Sequence, residues 1–203
     1  MKSPVEIKFK SSIVGQKRLL KIHADHIELL SPDSDVKPVK IPRSEINGFK
    51  YGINWINGYQ FVIGRTYCID VRGKQKEQIS IRLKSVYGIR RKLLGQKYSQ
   101  IIDALYSYYF DEVCLDYLAK FNEGEPFEIA QVIFQREGII FDKKAGVVSW
   151  ADLGTKAYHG YYALYSQQDP NTYKAFEYLH DWNTVILYSV SRQILKDKKL
   201  WSE

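Results

Sequence analysis

Residues 41–46 read IPRSEI, and residues 148–153 read VSWADL. Each begins with an aliphatic residue and ends on a small residue, an acid and a second aliphatic, and the two stand 107 positions apart. Each also follows an apolar, alternating stretch, KIHADHIELL (21–30) before the first and VIFQREGIIF (132–141) before the second. Alternation with period two is the mark of a half-buried strand. Each half therefore reads as a β-hairpin, a turn and a strand that ends in acid plus aliphatic, which predicts a mainly β, duplicated chain.

Outward from these motifs, the first 97 residues are short apolar alternations divided by turn residues. Val5 to Phe9 alternates cleanly, Leu19 to Leu30 makes one or two strands, and Ser31-Pro32-Asp33-Ser34-Asp35 is a turn by composition. Asn47-Gly48 and Asn57-Gly58 punctuate Val39 to Ile41 and Tyr51 to Ile56, because Asn-Gly accepts the positive φ of tight hairpins. Phe61 to Val71 and Gln78 to Leu83 follow, flanking a turn at Gly73. Residues 98–121 then carry no Gly or Pro and stop at Asn122, Gly124 and Pro126, which predicts one helix. Its apolar residues spread beyond a single stripe, so cover on more than one side is expected. Beyond Pro126, Phe127 to Phe134, Gly138 to Phe141, Val147 to Trp150, Tyr158 to Tyr165, Tyr173 to Trp182 and Thr184 to Val190 read as strands. The tail SRQILKDKKLWSE is open between a short frayed helix and the end of a strand.

The order hairpin, acid-plus-aliphatic motif, further strands and helix resembles bacterial pleckstrin-homology-like and GRAM-type domains. In those a hydrophobic–Pro–Trp–x–acid–Ile element follows a hairpin. Ile41-Pro42 keeps the Pro without the Trp, and Ser149-Trp150 keeps the Trp without the Pro. The resemblance implies a mainly β (α+β) protein of two pleckstrin-homology-like antiparallel β-barrel or sandwich units, with the long helix of about 98–121 between them. Residues 1–121 would form the unit closed by that helix. Residues 127–203 would form a second, smaller unit lacking a clear closing helix.

Composition narrows the activity. The chain has 203 residues and a net charge of +7, but residues 1–97 hold 20 Lys and Arg against 8 Asp and Glu, whereas residues 98–203 hold 10 against 15. A basic half joined to an acidic half points either to an anionic partner or to attraction between the halves. The start MKSPVEIKFKSS carries no apolar run, and Cys68 and Cys114 form neither a disulfide framework nor a CxxC pair. The expected setting is the cytoplasm, with the basic half able to reach the inner membrane surface.

Two basic clusters are the candidate sites. Lys8, Lys10, Lys17, Arg18 and Lys21 surround Ser11-Ser12 in the first hairpin. The resemblance makes this an anion site, since pleckstrin-homology domains that bind inositol phosphates use a basic first hairpin. The second run, RLKSVYGIRRKLLGQK (82–97), includes Arg82, Lys84, Arg90, Arg91, Lys92 and Lys97. It is open between docking on acids such as Glu123, Glu125 and Glu128, an anionic lipid surface, and a nucleic-acid backbone. His23 and His26, three apart in a strand, are expected on opposite faces and so form no metal pair. HExxH, GxSxG, P-loop and GxGxxG patterns do not occur, and pairs such as Glu177 with Asp181 or His180 with Asp181 are of a kind any chain this size offers. The expected activity is therefore non-catalytic, a binding or scaffolding module without cofactor or metal. Its expected partner is a protein or an anionic membrane surface, with nucleic acid as the alternative.

Overall fold

The computed structural model describes residues 3–10, 15–31, 37–142 and 144–201. The Ser11-Ser12 tip and the predicted turn residues Pro32 to Asp35 lie outside them. The chain divides into two compact units, Met1–Phe110 and Asp111–Glu203. The predicted division between 121 and 127 thus falls some ten residues later than the observed one.

In the first unit, β1 (Val5–Lys10), β2 (Lys17–Ile22), β3 (His26–Leu30) and β4 (Val39–Pro42) make one antiparallel sheet in chain order. The alternation of VEIKFK buries Ile7 and Phe9 and leaves Glu6 and Lys8 outside. A 3-10 turn, Arg43–Glu45, leads into β5 (Ile46–Asn57), β6 (Val62–Gly73) and β7 (Gln78–Val86), a second antiparallel sheet. Helix α1 (Arg91–Leu105) lays Leu94, Ile101 and Leu105 into the core and contacts β1, β6 and β7. Asn47-Gly48, predicted to break the chain, instead lies inside β5 at a bulge, where Ile46 faces Gly73 and Gly48 faces Arg72. The extra residue is absorbed by the ladder.

The helix begins at Arg91 rather than 98, and a π turn at Tyr106–Phe110 interrupts it before α2 (Asp111–Glu123). The π turn has a local cause. Tyr108, Tyr109 and Phe110 are all buried, although three consecutive residues sweep about 200° around a regular α-helix. Widening the turn lets all three face protein. Tyr109 Oη lies 2.8 Å from the His23 carbonyl and 2.7 Å from that of His26, while Phe110 meets Phe49 edge-on at 4.2 Å.

The second unit contains α2 and repeats the first unit's order of elements. β8 (Phe127–Ile129), β9 (Val132–Phe134), β10 (Gly138–Ile140) and β11 (Val148–Ser149) form a four-stranded antiparallel sheet. β12 (Leu153–Ala157), β13 (Tyr161–Ser166) and β14 (Tyr173–Glu177) form a three-stranded one. Helix α3 (Thr184–Asp197) follows, packing on α2, β8 and β13. Two expectations are corrected here. Thr184 to Val190 is helix, not strand, so this unit does end in a helix. Its buried positions Leu187, Val190, Ser191, Ile194 and Leu195 recur at helical spacing, and the stripe runs on into the tail, where the strand reading had stopped. Phe127 to Phe134 is a hairpin rather than one strand. Its turn places Ala130 at φ 51° and Gln131 at φ 63°, a conformation that neither residue type advertises.

Both motifs now have a place. IPRSEI carries the chain from β4 through the 3-10 turn into β5, and VSWADL carries it from β11 through a turn at Trp150–Asp152 into β12. Each is the step from the four-stranded sheet to the three-stranded one. Ile41, Val148 and Leu153 are buried. Trp150 Nε1 donates to the carbonyls of Gln135 (3.2 Å) and Arg136 (3.1 Å), tying the step to the β9–β10 turn. Asp152 accepts from Ser166 Oγ at 2.6 Å and from the Gln168 amide at 2.8 Å. Among the described residues the four sheets remain separate and none closes into the expected barrel. No helix there is long and apolar enough to cross a membrane.

Candidate functional site

The first unit contains a cleft of about 770 Å³ between β6 and α1. Alternation along β6 puts Arg65 and Tyr67 on the same face of the strand. Along α1, Lys92, Gln96, Ser99 and Asp103 recur at helical spacing, with Arg91 at the first turn, and all of these residues line the cleft. Three cations thus share the cleft with one carboxylate. Arg65 is held in place: its guanidinium carbon lies 4.2 Å from the ring centre of Trp55, its ladder partner on β5. Gly95 keeps the floor open, because a Cβ there would stand 3.2 Å from Tyr67 Oη. Behind Tyr67, the Tyr98 ring sits 5.2 Å away, and burial pushes its hydroxyl far above the usual tyrosine range. Arg65, Arg91, Lys92 and Asp103 supply the charge of the cleft, and Tyr67 and Gly95 form its uncharged stretch.

The connection from β7 to α1 positions the cations. Tyr87 (φ 52°), Gly88 (φ 75°) and Arg90 (φ 58°) are all in the left-handed region. Each non-glycine residue there costs roughly 1 kcal/mol. The surrounding bonds hold the shape: the Tyr87 amide donates to the Ile63 carbonyl at 2.8 Å, and Ser85 Oγ donates to the Ile89 carbonyl at 2.9 Å. Strain of this kind tends to persist where a surface has a task.

The sequence-predicted residues separate. Arg91 and Lys92 line the cleft, and Arg90 is the half-buried residue that caps α1. Lys10, Lys17, Arg18 and Lys21 are elsewhere, on the β1–β2 ladder. There Lys10 faces Lys17, Arg18 faces Phe9, and Lys21 pairs with Glu6 at 3.5 Å. Two further members of the 82–97 run are engaged within the fold. Arg82 Nη2 bonds both oxygens of buried Asp70 at 2.9 and 2.8 Å, and Lys97 Nζ donates to the Lys8 carbonyl at 2.5 Å. Arg65 and Trp55 escaped sequence reasoning. They face each other across the hairpin that Asn57-Gly58 marks, but nothing in the sequence signalled that Arg65 would join the cations of α1.

The histidine expectation is corrected. His23 and His26 stack with ring centres 4.3 Å apart, because the chain reverses between β2 and β3 and makes them neighbours across the turn. Asp25 sits 2.9 Å from His26 Nδ1, and that hydrogen bond holds its carboxyl below the ordinary value. Asp181 accepts the Glu177 amide at 2.8 Å, a local turn rather than an acid–base pair. Among the described residues, no group of three or more His, Cys, Asp and Glu side chains is placed to hold a metal. No protein-family model matches the chain, and comparison with the curated proteins and with the solved structures finds no significant match.

Proposed function

We propose that the protein is a non-catalytic binding module whose first unit receives an anionic group in the β6–α1 cleft. The observation that carries this reading is the convergence of Arg65, Arg91 and Lys92 on one cleft, opposed by Asp103 alone. Guanidinium and ammonium donors in a shared concavity suit phosphate or carboxylate oxygens. Support for a pleckstrin-homology-like architecture comes from the element order: four strands, three strands and a helix, twice, with the acid-plus-aliphatic motif at the same step each time. The nucleic-acid reading of residues 82–97 is weakened by Arg82 and Lys97, which spend their donors inside the unit.

The test is a titration with tripolyphosphate, followed by amide chemical shifts and calorimetry. Arg91→Glu with Lys92→Glu should weaken binding by about 100-fold, taking each charged hydrogen bond at about 1.5 kcal/mol. Lys17→Glu with Arg18→Glu should leave it nearly unchanged. Shifts confined to the β1–β2 hairpin, with the first pair of changes silent, would overturn the assignment.

A further inference from the structure

Beside the cleft lies an apolar surface that the fold does not use. The β5–β6 hairpin runs past the end of β7, where Val86 pairs with Gly64 and the ladder stops. Its tip is closed by the Gly58 amide on the Phe61 carbonyl at 2.8 Å. Tyr59 on this tip is 98% exposed, Phe61 67% and Val62 53%, and Tyr87 on the adjoining connection is 74% exposed. Ile89 and Leu93 are exposed on the same connection and the first turn of α1. These groups are contiguous with the cations: Phe61, Val62 and Tyr87 share a smaller pocket of about 200 Å³ with Arg65 and Arg91, which also line the cleft.

We infer that this hairpin tip enters the headgroup region of an anionic lipid bilayer, with Arg65, Arg91 and Lys92 meeting the lipid phosphates beside it. The inference rests on the anion-binding reading of the cleft and names its partner. Charge complementarity selects that partner: Met1–Phe110 holds 20 Lys and Arg against 9 Asp and Glu, a balance of +11, as an anionic leaflet requires. Chemistry selects it too. Tyrosine rings with polar tips favour the interface, and Phe61 with Val62, Ile89 and Leu93 favours the acyl boundary below it. Single-stranded nucleic acid would use the rings as stacking platforms but gain little from the aliphatics.

The experiment is co-sedimentation of the full chain with vesicles of phosphatidylcholine alone and of an equimolar mixture with phosphatidylglycerol. Binding should be strong to the mixture and weak to phosphatidylcholine. Tyr59→Ser with Phe61→Ser, both at exposed positions that the fold tolerates, should weaken it by about tenfold or more. Arg91→Glu with Lys92→Glu should weaken it by at least fivefold per cation removed. Tyr59→Trp should become quenchable by brominated acyl chains. Adsorption that ignores the Tyr59 and Phe61 changes, with no quenching, would overturn the insertion. Tripolyphosphate binding without any vesicle binding would sink the membrane inference while leaving the cleft reading intact. Binding of a single-stranded oligonucleotide through Tyr59 and Phe61, with vesicles ignored, would replace the bilayer with nucleic acid.

Discussion

Arg82 and Arg91 sit in one basic run of the chain, yet they should fail in opposite ways when removed. Arg82→Leu deletes the guanidinium that spans both oxygens of Asp70, whose side chain is only 2% exposed, and also the donors to the Ile69 and Ile81 carbonyls. Removing one partner of a buried ion pair costs about 3–5 kcal/mol. Asp70 keeps Ser80 Oγ at 2.7 Å and Gln78 Nε2 at 3.3 Å, and Arg82 itself is 43% exposed, so water can partly replace it. The expected loss is therefore about 2–3 kcal/mol. Native-state hydrogen exchange reads it locally, as faster exchange of β6 and β7 amides with the second unit's amides unchanged. A cycle with Asp70→Asn should return a coupling of about 1–2 kcal/mol. Tripolyphosphate should bind the variant as it binds the wild type. Exchange within about 0.5 kcal/mol of wild type, or lost anion binding at unchanged stability, would refute the division of labour between the two arginines.

The second unit offers three more tests. Trp150→Ala removes a buried indole packed on Phe121 and Phe134 and orphans two carbonyls; about 3–5 kcal/mol should be lost in denaturant melts, with the first unit's exchange unaffected. Gly138→Ala would set a methyl 2.0 Å from the Val148 carbonyl oxygen, across the β10–β11 pair. It should unzip that pair and abolish protection of the Ser149 amide region, whereas Gly146→Ala, with open space but φ 73°, should cost only about 1 kcal/mol. Burial pushes the Tyr162 hydroxyl, 2.8 Å from Ser191 Oγ, up to about 12. The folded state keeps this proton after the unfolded chain has released it near pH 10, so its contribution is whole below about pH 10 and shrinks between about 10 and 12. In that window Tyr162→Phe should flatten the decline measured by guanidinium melts; identical slopes would show that this hydroxyl does not carry it.

What was legible in the chain were the features that report on local geometry. Alternation in VEIKF and the apolar pattern of QISIRL marked strands, and the absence of Gly and Pro over 98–121 marked a helix. The acid-plus-aliphatic repeat marked a step that recurs in both units. Local signals also misled where tertiary packing outweighed them. β-branched residues at the start of α3 read as strand, yet the core accepted their helical stripe. Asn47-Gly48 read as a turn, yet the long ladder of β5 with β6 carried it through as a bulge.

The candidate site belongs mostly to the second kind of information. Arg91 and Lys92 stood out as a basic run, but nothing local distinguished them from Arg82 or Lys97, whose charges are consumed by Asp70 and by a backbone carbonyl. Periodicity along the chain determined which faces would be apolar, because side-chain direction follows from backbone geometry alone. Which cations share a cavity, which are neutralised, and which aromatic rings are left in water depends on contacts between residues such as Trp55, Arg65 and Arg91. Trp55 and Arg65 face each other across one hairpin, but Arg91 lies on a helix that only the completed packing of sheet and helix brings beside them.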